Sequence, residues 1–170
     1  WEDKTTLYRY ASSIMPNNPK TYQILGDALM DSGQILEAKS SYLRALHLNP
    51  DSSIIYNKLG LAWQTLGNHQ RAIDCFKKSI KLSPANASPY HNMGNSLLEV
   101  GETDNAIIQF NKALQNDPLA FQTHNSLGTA LAQKRQFDKA LKHFQKALSI
   151  NPNYKTAKDN IQKIMIKQKH

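Results

Sequence analysis

Cysteine is almost missing from this sequence: Cys75 stands alone among 170 residues. One thiol excludes both an internal disulfide framework and a thiolate metal cluster. Long apolar runs are missing as well. Hydrophobic residues make up 40% of the chain and are broken up by charges, so no stretch approaches the roughly 20 apolar residues that a membrane-crossing helix needs. The opening WEDKTTLYRYASS has neither the basic start nor the apolar centre of a targeting peptide. Sequences of the type GxSxG, GxGxxG, HExxH and GxxxxGK are all absent. The six histidines, at 47, 69, 91, 124, 143 and 170, never recur at metal-ligand spacing on one helix face. No catalytic residue, metal or cofactor is expected, and Cys75, beside Phe76, reads as a semi-buried structural thiol.

Acidic residues are outnumbered, 13 against 21 basic, for a formal charge of +8. The imbalance is local. Residues 1 to 133 carry equal numbers of the two signs, and residues 134 to 170 hold ten Lys/Arg against two Asp/Glu. A basic end of this kind serves nucleic acid only when stacking aromatics accompany it. Phe137, Phe144 and Tyr154 are the aromatics there, and Phe144 falls at a core position, so no nucleic-acid partner is expected.

What the chain does have is a period. Pro16, Pro50, Pro84, Pro118 and Pro152 lie 34 residues apart, and all seven glycines fall on the same period in two sets, 26, 60, 94, 128 and 33, 67, 101. Ala38, Ala72, Ala106 and Ala140 repeat it, each followed four residues on by an aromatic: Tyr42, Phe76, Phe110 and Phe144. Within a unit the apolar spacing is helical, as in Tyr56, Leu59, Ala62 and Trp63, then Ala72, Phe76 and Ile80. Each unit is therefore two helices. The glycines at 33, 67 and 101 sit where a left-handed residue ends the first helix. Arg135 takes that place in the fourth unit, which predicts a turn of different shape or a mildly strained one. The prolines end the second helix, and the Ser, Asp and Asn residues after them suit the next N-cap.

The other glycine set lies inside the first helix, where glycine costs about 1 kcal/mol relative to alanine. Close helix contact offsets that cost: the side chain missing at 26, 60, 94 and 128 admits the partner helix, and the aromatic of the second helix fills the adjoining space. His124, on a core-facing position, reads as a packing histidine with its hydrogen bonds satisfied.

These residues resemble the tetratricopeptide repeat. The family's order of aromatic, Leu-Gly, aromatic, Ala, Phe, Ala and Pro is matched by Tyr56, Leu59, Gly60, Trp63, Ala72, Phe76, Ser79 and Pro84, with Ser79 in place of the second Ala. The third unit matches it with Tyr90, Met93, Gly94, Leu97, Ala106, Phe110, Ala113 and Pro118. The resemblance implies an all-α fold, a right-handed superhelical α-solenoid of antiparallel helix pairs. Its units are expected at 19–52, 53–86, 87–120 and 121–154. Residues 1–18 are expected to be the second helix of a truncated earlier repeat, the chain being a piece of a longer protein, and 155–170 a solvating C-terminal capping helix.

The resemblance also implies a function, a non-catalytic scaffold that binds a protein or an extended peptide in a concave groove lined by the first helices. The family's groove positions fall on Lys20, Gln23, Asp27, Met30 and Asp31, and on Ile54, Asn57, Leu61, Gln64 and Thr65. They continue at Ser88, His91, Asn95, Leu98 and Glu99, then Gln122, Asn125, Thr129, Ala132 and Gln133. Gln23, Asp27, Asn57, Leu61, Gln64, His91, Asn95, Leu98, Asn125 and Thr129 are the candidate binding residues. Amides dominate, and an amide can satisfy both the N–H and the C=O of a peptide backbone. Asn57, His91, Asn95 and Asn125 are expected to form a ladder. Lys20 is the one basic groove residue, so a cluster of cations for a terminal carboxylate is not expected.

The opening WEDKTTLYRYASSIMPNNP is similar to the junction that follows the last span in multi-spanning membrane proteins of the glycosyltransferase type with tetratricopeptide tails. That similarity implies an extracytoplasmic tail that recruits substrate or partner, with no membrane contact by this piece itself. This tail is the alternative to the interaction scaffold above, and the compartment, extracytoplasmic (periplasmic) or cytoplasmic, stays open. Removing residues 155–170 should lower solubility or melting temperature and leave affinity for RNA or DNA negligible. Micromolar, salt-sensitive binding by the intact chain, lost on that truncation, would refute this reading of the basic end.

Overall fold

The computed structural model describes residues 4–167. Trp1, Lys169 and His170, which enter the sequence reading at its two ends, lie outside the described residues, as does the side chain of Lys167. All regular structure among the described residues is α-helical. The chain divides into two compact units, one running to Pro84 and the other from Ala85. The first holds α1 (Lys4–Ile14), α2 (Pro19–Asp31), α3 (Ile35–Leu48), α4 (Ser53–Thr65) and α5 (His69–Leu82). The second holds α6 (Ala87–Glu99), α7 (Thr103–Asn116), α8 (Phe121–Gln133), α9 (Phe137–Ile150) and α10 (Lys155–Lys167). Within each unit consecutive helices pack on one another, and α8 also touches both α6 and α10.

The short loops make consecutive helices antiparallel. At the end of α2 the Gly33 N–H donates to the Met30 carbonyl at 3.1 Å and the Gln34 N–H to the Leu29 carbonyl at 2.8 Å, the paired bonds of a Schellman turn. The same pair recurs after α4, α6 and α8. Arg135 adopts a φ of 57° with its bonds to Ala132 and Leu131 intact, so the fourth turn keeps its shape and carries the strain of a side chain in the left-handed region. N-caps follow the expected residues at Asn18, Ser52 and Asn86, whose side chains accept from helix N–H groups. At α8 the cap position is Ala120, and Asp117 accepts from the Leu119 N–H in the preceding turn instead.

Tyr42, Phe76, Phe110 and Phe144 are buried against glycine. An ideal Cβ on Gly94 would lie 2.5 Å from the Phe110 ring, and one on Gly128 would lie 2.6 Å from Phe144. Gly26 meets Tyr42 and Gly60 meets Phe76 in the same way. Ser79, the departure from the alanine pattern, is fully buried, and its hydroxyl donates to the Ser53 carbonyl at 2.8 Å across the helix pair. Helix α10 turns Ala157 and Ile164 inward. Met165 and Ile166 are exposed on the same helix beside its lysines.

His124 is buried with both ring nitrogens engaged: Nε2 lies 3.1 Å from the Pro118 carbonyl and Nδ1 lies 3.1 Å from Nδ1 of His143. A carbonyl accepts, so His124 carries its proton on Nε2, and His143 donates from Nδ1 to the bare Nδ1 of His124. Burial lowers the pKa of both rings from the ordinary 6.5, and at His143 the adjacent His124 adds to the shift. The folded state thus prefers neutral rings. Their contribution to stability is present above the unfolded value and is lost as pH falls below it.

Two outcomes follow from this packing. Gly94→Leu should cost at least 1–3 kcal/mol through overpacking, read as a lower melting temperature; an unchanged one would refute the ring-against-glycine account. Stability should fall between pH 7 and pH 5, and His143→Asn should flatten that dependence in melts run across the range.

Candidate functional site

The expected binding residues sit on the first helices of the repeats, α2 and α4 in one unit and α6 and α8 in the other. In the first unit Asp27 is the centre of a polar cluster. The Tyr42 hydroxyl donates to Asp27 Oδ1 at 2.8 Å, and Lys58 Nζ lies 2.9 Å from the same oxygen. Burial first, and the Asp27 carboxylate second, push the Tyr42 pKa far upward, so the phenol stays a donor. Asp27, Met30, Asp31, Tyr42, Lys58 and Leu61 line a cleft of about 340 Å³ between α2, α3 and α4. Asp27 and Leu61 are thereby brought together. Gln23 is half-buried on α2, and Asn57 and Gln64 are half-buried on α4 with interactions of their own.

In the second unit Asn95 Nδ2 donates to His91 Nε2 at 3.0 Å, and His91 Nδ1 donates in turn to Thr123 Oγ1 at 3.0 Å. Burial lowers the His91 pKa, which favours the neutral ring this arrangement requires. The ring also lies against Phe110, with centroids 5.9 Å apart. His91 and Asn95 therefore form a fixed pair, and the carbonyl oxygen of Asn95 remains as an acceptor. Leu98 is half-buried one turn further along α6.

Asn125 stands differently. It is 8% exposed, and its Oδ1 accepts from Asn160 Nδ2 of α10 at 3.0 Å. Thr129 caps back onto the Asn125 backbone carbonyl at 3.1 Å. Beside them Thr129, Ala132, Gln133, Phe137, Phe144, Asn160, Lys163 and Ile164 line a cleft of about 200 Å³ between α8, α9 and α10. Six of these residues stand three 34-residue periods beyond the six that line the cleft of the first unit. A terminal helix read as a solvating cap hid Asn160 and Lys163 from the sequence reading. Lys58 was missed too, although Tyr42, the one tyrosine among three phenylalanines, marked its neighbourhood.

Neighbouring first helices are thus tied by polar links: Asp27 to Lys58, His91 to Thr123, and Asn125 to Asn160. Such side chains can donate to and accept from a bound backbone. Burial, with Asp74 as the lesser cause, pushes the Cys75 thiol up to about 11, so it stays protonated at neutral pH. Among the described residues no three His, Cys, Asp or Glu side chains gather to hold a metal. None of the described helices is long and apolar enough to cross a membrane.

Family models described as tetratricopeptide repeat match residues 25–87, 75–108 and 121–154. Comparison with curated protein sequences finds no match. Among solved structures, one of MamA is 30% identical, covers 87% of this chain and 86% of its own, and superposes with a TM-score of 0.80. YrrB, described as a TPR protein with an unusual peptide-binding site, is 22% identical, with 90% and 79% covered and a TM-score of 0.75. Cut9, in the APC/C hetero-tetramer Cut9-Hcn1, is 23% identical over 94% of this chain and 32% of its own, with a TM-score of 0.85. The last two likenesses are of fold alone. With its 34-residue helix pairs, its ring-against-glycine packing and these matches, the chain belongs to the tetratricopeptide-repeat family.

Proposed function

We propose that this chain is a non-catalytic interaction scaffold that binds an extended segment of a protein partner on the first helices of its repeats. The observation that carries the reading is the set of amide, imidazole and hydroxyl groups on those helices, held in place by links inside the protein. Asn95 is the clearest case, because His91 fixes its amide and leaves its carbonyl oxygen available. A fixed polar group loses little conformational freedom on binding, which lowers the cost of association. The peptide-binding description of YrrB supports the same reading by analogy of fold.

Each buried hydrogen bond to a peptide backbone contributes about 0.5–1.5 kcal/mol. Replacing Asn57 of the first unit and Asn95 of the second by Ala should therefore weaken a partner bound on those helices by about 0.5–1.5 kcal/mol for each of the two that it contacts. Asn125 is left out because its amide is buried against Asn160, and its loss would act on folding. The partner is first recovered by pull-down from the source organism with the intact chain. Calorimetry of the folded double variant then gives the answer, and full affinity would refute binding on those helices.

A further inference from the structure

The two equivalent clefts differ in chemistry, and the difference points to what the second one takes. In the first unit the cleft presents Asp27 and Asp31 against a single cation, Lys58, which is already paired with Asp27. In the second unit the acids are gone: Thr129 and Gln133 stand in their places, and Lys163 replaces Leu61. The walls there are apolar, formed by Ala132, Phe137, the buried Phe144 and the buried Ile164. Lys163 is exposed at the edge and forms no ion pair among the described residues, although Asp159 lies one turn before it on α10.

We propose, resting on the peptide-binding reading above, that the α8–α9–α10 cleft is a specificity pocket for a bulky apolar side chain with an acidic one two residues further on, the two sharing one face of an extended segment. Its volume of about 200 Å³ admits one large side chain, an aromatic or a leucine, against Phe137, Phe144 and Ile164. A carboxylate two residues further along the ligand, on the same face of the extended backbone, meets Lys163. Asn160 uses one of its two amide hydrogens on Asn125 and keeps its carbonyl oxygen for a ligand N–H. Charge complementarity selects the acidic residue, because residues 134–170 carry ten Lys/Arg against two Asp/Glu and attract negative segments before contact. The same ligand is repelled at the equivalent cleft of the first unit, where Asp27 and Asp31 stand. A polyanion of the nucleic-acid type meets the lysines but finds only one half-buried ring on which a base could stack, Phe137, since Phe144 is buried.

The test uses the whole chain, labelled with ¹⁵N, and three blocked pentapeptide probes: acetyl-Gly-Phe-Gly-Glu-Gly-amide and its counterparts with Gln or Lys in place of Glu. Shifts on titration should gather at residues 129–133 and 160–164. At low salt the Glu probe should bind about fivefold tighter than the Lys probe, with Gln between them, and the gap should shrink as salt is added. Lys163→Glu should reverse that order. Ala132→Trp, which plugs the cleft, should remove the response to all three probes, with its melting temperature checked against the parent chain. Binding on this face with no charge preference, or an order unchanged in Lys163→Glu, overturns the inference and leaves peptide binding standing. A response confined to other faces overturns the inference and counts against the peptide-binding reading as well. A single-stranded oligonucleotide that shifts the same residues as strongly as the Glu probe shows phosphate recognition, and also overturns it.

Discussion

Each helix pair depends on an aromatic ring lying against a bare stretch of backbone. Placing glycine in the middle of a helix costs about 1 kcal/mol, and burying a phenylalanine side chain contributes about 1.5–3 kcal/mol. The exchange is favourable only if the ring occupies the space the glycine leaves open. Phe76, Phe110 and Phe144 do so, and Tyr42 does so with a hydroxyl to satisfy. The alanine four residues before each ring is fully buried for the same reason: anything larger would lift the second helix off the first. Proline, turn glycine and N-cap then set only where each helix begins and stops.

That hydroxyl is the point at which the packing rule reaches the lining of a cleft. A phenol at the end of a buried ring needs an acceptor, and Asp27 supplies it from the first helix. The carboxylate in turn holds Lys58 of the next first helix. A single change from the phenylalanine of the other units thereby adds α3 to the link that one carboxylate makes between α2 and α4. The frame repeats because the rings must. The cleft positions are free to diverge, and at three periods' distance they have diverged from carboxylates to a lysine with apolar walls.

The fold was legible in the sequence because its determinants recur. Gly60 and Phe76 belong to a pattern seen four times, whereas the loss of the turn glycine at Arg135 left two turn shapes open, and the strained one of unchanged shape is found. The candidate site was legible only in part, because its partners lie far apart in the chain. His124 could be assigned to the core from its phase, but its bond to His143 crosses from α8 to α9 and follows no period. Asn125 occupies a position that faces outward in a bare repeat, and it is buried because Asn160 of α10 closes over it. Ser79 looked like a small irregularity, and it is a hydrogen bond to a carbonyl 26 residues away. Periodicity shows which face a residue takes. It does not show what the neighbouring element brings to that face.

The ring and glycine of each pair are close in sequence as well as in space, as Gly60 and Phe76 show. Closing a loop of this length carries only a modest entropic penalty. Every unit therefore contains a short-range nucleus of its own, and the chain has several equivalent places at which folding can start. Chains dominated by such local contacts fold in microseconds to milliseconds, and repeat arrays can propagate order from any unit that forms first. A fault at one ring slows only one of these starting points and leaves the others to recruit their neighbours.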